Sequence, residues 1–295
     1  MLSFKPVELS DKPLLQPFLY KHQKLLCNWS FPNMILWHDA YLPYYTLVDN
    51  ILLVAAMKDK PIYGFPIGEG DIQSAINVLI EHTKKHNHVL TLAFLTEEMK
   101  ETLESLFPNR FNFEEDRGTF DYIYNVSDLL HLKGKKYQSK RNHINQFKKK
   151  YNYTYHPLTV KDIPECLEMQ SQWYDENECS TDSCSLELEN CAVKRGLGFF
   201  GQMDMKGGVL RVNNKIIAFT LGQALNKDVF EVNIEKAFKD YHGAYTMINQ
   251  LFVEAEMQNY QYVNREEDLG IPSIRKAKLS YYPTIILKKY KATLK

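Results

Sequence analysis

The sequence predicts an α/β protein with mixed, α+β-type sheets, arranged as two successive domains of one design. Three observations predict it. The chain has 295 residues, too many for one minimal domain and a fit for two. Short runs rich in β-branched and aromatic residues alternate with stretches of helical period. The same order of signals then occurs twice, with a boundary near residues 135–155.

The first half opens with an extended run, Phe4–Leu9, followed by Ser10 and Asp11 as caps and by Pro13 near a helix start. Such side chains accept hydrogen bonds from free helix N–H groups, and proline has no N–H to satisfy. A hairpin follows at Thr46–Ala55, turning at Asp49-Asn50, residues that tolerate the left-handed backbone of tight turns. Ile62–Pro66 reads as a strand, and Ile72, Ala75, Ile76, Leu79 and Ile80 recur at helical spacing. Val89–Phe94 is the next strand, Met99, Leu103 and Leu106 mark a helix, and Phe120–Val126 closes the half as a strand.

The second half repeats the order. Tyr153–Leu158 is extended, Thr159 and Asp162 are caps, and Pro164 lies near the helix start. The hairpin is Val209–Phe219, turning at Asn213-Asn214. Val229–Ile234 is a strand, Ile248, Leu251, Phe252 and Ala255 line a helix, and Tyr260–Asn264 is a strand. Ser273–Leu279 is a short helix and Thr284–Tyr290 a last strand. The expected organisation is a domain at 1–134, a basic connecting helix at 135–152 and a domain at 153–295. This order resembles that of GNAT-type acyltransferase domains, used twice.

Composition is that of a globular chain, with 44% hydrophobic and 24% charged residues. Thirty-six basic side chains cancel 36 acidic ones, so an anionic partner has to be held by a local patch. The N-terminus lacks a charged-then-apolar signal layout, and the apolar run Ile51–Met57 is far short of the roughly 20 residues that span a bilayer. These features predict a cytoplasmic protein without a transmembrane segment. The five cysteines (Cys27, Cys166, Cys179, Cys184 and Cys191) are odd in number and match no common zinc spacing, so reduced thiols and no metal site are expected.

Between the halves, Tyr137, Ile144, Phe147 and Tyr151 fall on one helical face, while Lys135, Lys136, Lys140, Arg141, Lys148, Lys149 and Lys150 crowd the rest. Like charges in a block repel, so an anionic partner such as RNA phosphate or a lipid headgroup stabilises them. The most function-bearing stretch is Val263–Tyr290. There Asn264-Arg265-Glu266-Glu267-Asp268 follows a strand end, where open α/β sheets place ligands. Asp268 or Glu266 is expected as general base or amine binder, with Glu231 as a further candidate. Asn264, Arg265, Arg275, Lys276, Lys278 and Tyr281 are expected to bind substrate, and Lys140, Arg141 and His143 to assist from the basic helix.

In GNAT enzymes a Gln/Arg-x-x-Gly-x-Gly/Ala loop at a helix N-terminus binds the coenzyme A pyrophosphate. Here the corresponding place is Asp240-Tyr241-His242-Gly243-Ala244-Tyr245. Gly243 is kept, and Gly243, Ala244 and Tyr245 are the candidate cofactor contacts. Asp240 repels a pyrophosphate and Tyr245 crowds it, so acetyl-CoA or another acyl-CoA is disfavoured as donor.

Four segments carry a resemblance: Tyr63–Asp71 (YGFPIGEGD), Phe120–Tyr124 (FDYIY), Leu132–Phe147 (LKGKKYQSKRNHINQF) and Asn264–Tyr281 (NREEDLGIPSIRKAKLSY). With them the chain resembles the phosphatidylglycerol lysyltransferase C-terminal domain family, in particular its short members without a membrane half. The resemblance implies two tandem GNAT-like domains. It also implies kinship with enzymes that move an aminoacyl group from tRNA to a lipid or a peptidoglycan precursor without coenzyme A. The expected partners are therefore aminoacyl-tRNA, a lipid or small-molecule acceptor and an anionic membrane surface. Two other readings stand beside aminoacyl transfer: a coenzyme A-dependent N-acyltransferase, and a non-catalytic binder of RNA or anionic lipid.

Overall fold

Strands follow one another in a computed structural model that describes residues 2–177 and 183–295. They are β1 (Lys5–Pro6), β2 (Pro43–Val48), β3 (Ile51–Ala56), β4 (Ile62–Tyr63), β5 (Ile67–Gly68), β6 (Thr91–Leu95) and β7 (Phe111–Glu115). Then come β8 (Asp121–Asn125), β9 (Tyr153–Pro157), β10 (Lys206–Val212), β11 (Lys215–Ala224), β12 (Val229–Ala237), β13 (Tyr262–Asn264), β14 (Ile285–Leu287) and β15 (Tyr290–Leu294). They form two mixed sheets, ordered β1-β2-β3-β4-β6-β15-β7 and β14-β8-β13-β12-β11-β10-β9.

The local signals operate as chemistry requires. Both repeat starts close with the same reciprocal bond: the Glu8 N–H donates to Asp11 at 2.9 Å, and the Thr159 N–H donates to Asp162 at 2.9 Å. Both hairpins turn on paired left-handed residues, Asp49 and Asn50 at φ 47° and 62°, Asn213 and Asn214 at φ 50° and 68°. The YGFPIGEGD segment is a structural device. Gly68 has φ 133°, and a Cβ there would lie 2.2 Å from the Asn50 carbonyl oxygen, so only glycine fits beside the β2–β3 turn. Asp71 then caps the Ile72–Lys85 helix, accepting from the Ser74 N–H at 3.0 Å.

The chain divides into two compact units, and the division differs from the sequence expectation. One unit is 1–121 with 267–275 and 286–295, and the other is 122–266 with 276–285. The single strand expected at Thr284–Tyr290 is two short ones, β14 and β15, which enter different sheets. In the first unit β15 lies between β6 and β7, antiparallel to both. Its Tyr290 and Ala292 join Ile51, Leu53, Ile76, Leu79, Leu92 and Leu103 in that unit's core. In the second unit β8 pairs antiparallel with β13. Strand character is written in local alternation, whereas the choice of partner depends on distant residues; that is why β15 and β7 escaped the local reading.

Among the described residues no helix is long and apolar enough to cross a membrane. Cys27 and Cys166 are buried and, with the half-buried Cys191, are free thiols. The Cys179 and Cys184 side chains lie outside the described residues.

Candidate active site

In the second unit the parallel strands β12 and β13 pair only from Val229–Glu231 to Tyr262–Asn264. Past that point the chain beyond β13 stays with β8, since the Arg265 N–H donates to the Tyr122 carbonyl at 3.0 Å. The two strands splay, and polar side chains span the gap. Asn233 Nδ2 donates to Glu266 Oε1 at 3.1 Å, and Arg265 Nη2 donates to Glu235 Oε1 at 2.7 Å. The other Glu235 oxygen accepts from Asn249 of the Ala244–Glu256 helix at 3.0 Å. The pairing of β12 with β11 slips between Leu221 and Gly222, which leaves Asn233 as an extra residue; Glu231 is therefore opposite Gln223 and Glu235 opposite Thr220, on different faces of the sheet.

Arg265 is the centre of this cluster. Its guanidinium lies 4.9 Å from the Tyr281 ring centroid and 5.8 Å from that of Tyr124. Nη1 is buried and has no hydrogen-bond partner. Burial works against its charge, yet the Glu235 carboxylate and the facing tyrosines outweigh burial and raise its pKa. Burial likewise raises Tyr281 and Tyr124. Lys278 donates to the Arg265 carbonyl, and its own carbonyl accepts from the Tyr124 hydroxyl at 2.9 Å, so the Pro272–Leu279 helix is tied to the strand end.

Lys140 enters from the Gln138–Lys150 helix, the core of the expected basic helix. Its Nζ donates to Ser280 Oγ at 2.7 Å and lies 3.8 Å from the Tyr281 ring centroid. Burial, helped by Arg265 and opposed by Glu235, pushes its pKa down to about 8. Tyr137, Ile144 and Phe147 bury the apolar face of this helix, while Lys133, Lys135, Lys136, Lys148, Lys149 and Lys150 are exposed. Arg141 donates to the Leu132 and Gly134 carbonyls, so it closes a preceding helix end and does not offer its fork outward. Lys276 is exposed.

The same helix covers the loop expected to hold pyrophosphate. Gly243 has φ 89°, and a Cβ there would lie 2.7 Å from the His143 carbonyl oxygen. The His143 and His242 rings meet at 5.0 Å, and the Tyr151 hydroxyl donates to the Asp240 carbonyl at 3.4 Å. The Ala244 N–H is spent on the Tyr241 carbonyl at 2.9 Å, and the buried Tyr245 hydroxyl accepts from Trp173 at 3.2 Å. Gly243, Ala244 and Tyr245 therefore serve helix packing, where a pyrophosphate cradle needs open N–H groups. Burial and the facing His242 lower the pKa of His143.

The structure thus assembles Asn264, Arg265, Glu266, Lys278, Tyr281 and Lys140 in one region. Asn264 Oδ1 orders Glu266 by accepting its N–H at 2.7 Å. Glu231, earlier on β12, is fully buried and meets Gln223 at 3.4 Å. Asp268 and Arg275 belong to the first unit. Asp268 is fully buried and accepts from Arg275 at 2.7 and 2.9 Å, from Arg117 at 3.2 Å and from the Gly270 N–H at 2.8 Å. A carboxylate has about four acceptor sites, and four donors fill them. Asp268, expected as a base, is thus placed as an anchor of the loop, with Arg275 as its ion-pair partner. The residues that sequence reasoning missed are Glu235, Asn233, Asn249, Tyr124 and Ser280; the polar Asn233 and Glu235 inside an otherwise mostly apolar strand are the signal that marks two of them.

The first unit holds a second buried polar cluster, also unforeseen. Cys27, Asp121 and Glu267 bring donor atoms within 4.8 Å of one another, a spacing compatible with a metal ion. The Lys289 ammonium already faces them, at 2.6 Å from Asp121, 2.9 Å from Glu267 and 3.9 Å from Cys27, with a further bond to Asn28. A cation of the protein's own supplies the positive charge there. Burial opposes that charge, but the Asp121 carboxylate in particular raises the Lys289 pKa, while burial raises that of Glu267.

A model of the family described as phosphatidylglycerol lysyltransferase, C-terminal, matches residues 23–293. An uncharacterized protein of Mycoplasmoides gallisepticum is 27% identical over 175 residues, 58% of this chain and 54% of the relative. The chain thus spans about half the length of the curated relative it matches. A conserved protein of unknown function from Bacteroides thetaiotaomicron has a TM-score of 0.95 and 40% identity, with 100% of both chains covered. L-PGS from Bacillus licheniformis has a TM-score of 0.64 at 16% identity, over 96% of this chain and 92% of that one. FemX has a TM-score of 0.61 at 8% identity, over 98% and 97%. At such identities the last two speak for fold alone, and the fold is the one shared by FemX and tandem GNAT proteins.

Proposed function

The chain belongs to the phosphatidylglycerol lysyltransferase C-terminal family, and from that membership we propose that it is an aminoacyltransferase acting at the splayed strand pair. It moves an aminoacyl group from aminoacyl-tRNA to an amine or hydroxyl of a lipid or small-molecule acceptor. The observation that carries this reading is Arg265, whose guanidinium lies against the Tyr281 and Tyr124 rings with one buried nitrogen that has no hydrogen-bond partner. Attack on an ester builds negative charge on the carbonyl oxygen, and a fixed donor in a dry setting stabilises that charge. Glu266, half-buried at the same strand end, is suited to the ammonium of the donor amino acid. The exposed lysines of the basic helix supply a patch for tRNA phosphates or an anionic membrane surface. A coenzyme A-dependent reaction is disfavoured, because the loop that would hold the pyrophosphate is packed under His143.

The test is transfer of label from a mixture of aminoacyl-tRNAs into acceptors of a cell extract. Label leaves one tRNA species for a lipid or small molecule, and Arg265→Lys lowers kcat about 100- to 1,000-fold, the loss typical of an oxyanion donor. Undiminished transfer by Arg265→Lys refutes the role of Arg265. Absence of transfer from every aminoacyl-tRNA refutes the function.

A further inference from the structure

We infer that Lys140 is the proton acceptor for the attacking nucleophile, held in place by Ser280. The inference rests on the aminoacyl-transfer reading and adds to it the residue that makes the acceptor reactive. Attack by an ammonium or a neutral hydroxyl is slow, so a base within hydrogen-bond reach has to remove a proton. The described groups of the cluster narrow the choice. Arg265 does not give up its proton at any ordinary pH. Both Glu235 oxygens accept hydrogen bonds, from Arg265 and Asn249. Glu266 Oε1 accepts from Asn233, and Glu231 is fully buried.

Lys140 is placed differently from the other lysines of its helix. It stands three residues after Tyr137 and four before Ile144, on the buried face where an apolar side chain is the rule. Its residue exposure is 9%, against open solvent for Lys136 and Lys148. No carboxylate forms an ion pair with it among the described residues; it rests on the Tyr281 ring and donates to Ser280. Ser280 Oγ gives its own proton to the Ala277 carbonyl at 2.5 Å, so toward Lys140 it is an acceptor. A neutral amine so held donates one N–H to Ser280 and keeps its lone pair for an incoming proton.

The charged and titratable groups facing Lys140 are Arg265, Glu235 and Tyr281, with His143 one turn along its own helix. Desolvation and the guanidinium prevail, and the amine titrates at about 8. Near neutral pH that leaves roughly 300-fold more free amine than on an ordinary lysine.

The step balances with no further reactant. The acceptor N–H or O–H passes its proton to Lys140 Nζ as its nitrogen or oxygen bonds to the ester carbonyl carbon. The carbonyl electron pair moves onto oxygen beside Arg265, then returns as the ester C–O bond breaks. The departing ribose oxygen takes the proton back from Lys140.

Two measurements on the full chain test this. Trace acetylation by acetic anhydride, read by peptide mass spectrometry between pH 6 and 10, reports the free amine without any enzymatic assay. Lys140 should react with a midpoint near 8 while Lys148 follows the ordinary lysine curve. An ordinary curve for Lys140, or no reaction at any pH, overturns the inference whatever the transfer assay gives. In that assay Lys140→Arg, which keeps charge and hydrogen bonding, should lower kcat at least 100-fold with KM within about threefold. The wild type's alkaline-rising limb near pH 8 should vanish with it. A Lys140→Arg enzyme of normal rate overturns the inference and spares the functional reading. A midpoint near 8 with no transfer from any aminoacyl-tRNA overturns that reading, and the proton transfer assigned to Lys140 falls with it.

Discussion

Replacing Lys289 by Met should destabilise the first unit by about 3–5 kcal/mol at pH 7, the range for removing one partner from a buried ionic cluster. Lys289 and Asp121 are fully buried, and Glu267 is 11% exposed, so solvent does little to screen the carboxylates left behind. Methionine fills most of the lysine stem, which makes lost charge and not lost volume the cause. The pKa directions set the pH dependence. The Lys289 pKa is raised, so its contribution is whole below the ordinary lysine range and is lost only as pH climbs through the higher folded value. The Glu267 pKa is raised by burial, an opposite sign for an acid: the fold gains as pH falls through the folded value toward 4.5. The deficit of Lys289→Met should therefore shrink as pH falls below 7, as the orphaned Glu267 carboxylate takes up its proton.

Urea unfolding followed by tryptophan fluorescence in a Trp173→Phe background isolates the effect, since Trp29 and Trp37 both lie in the first unit. Adding Asp121→Asn and Glu267→Gln to Lys289→Met should recover most of the loss, because a neutral cluster has no uncompensated charge. A Lys289→Met protein within 1 kcal/mol of wild type, or a triple variant no better than the single one, refutes the electrostatic reasoning.

Three further outcomes follow from the second unit. Gly243→Ala should cost roughly 1–3 kcal/mol, since it meets a left-handed backbone and the His143 carbonyl together; a neutral thermal shift would show that the helix does not rest on the loop. Millimolar acetyl-CoA should leave the wild-type melting temperature unmoved, and a rise would reopen coenzyme A as donor. Charge reversal at Lys148, Lys149 and Lys150, all exposed, should abolish binding to charged tRNA at low salt without changing secondary structure; unchanged binding in a filter assay removes the patch from the mechanism.

What was legible in the sequence is what neighbours decide. Asp11 and Asp162 cap, and Asp49-Asn50 and Asn213-Asn214 turn, because those residues act within a few positions of themselves. The apolar ladder of Tyr137, Ile144 and Phe147 was legible for the same reason, but Lys140, read as one of the charges off that face, is buried on it. The partners of Asp268 were not legible, because a run of charges says nothing about which side of the chain meets Arg117, 151 positions away. Lys289 was hidden between two short strands and Asp121 inside a hydrophobic one, and only long-range pairing brings them to 2.6 Å. Glu235 lies past the slip in the β12 pairing, and the residue that answers it, Asn249, comes from a helix, so local alternation does not mark it.

Strand β15, seated between β6 and β7, sets a timetable for synthesis. A ribosome releases residues 91–115 long before residues 290–294, so the first unit waits with two strand edges open where an interior neighbour belongs. Its sheet can close only after the whole of the second unit's sequence has been made. The nascent first half is thus exposed to misassociation for most of translation, and the second unit is free to fold before the unit that precedes it in the chain.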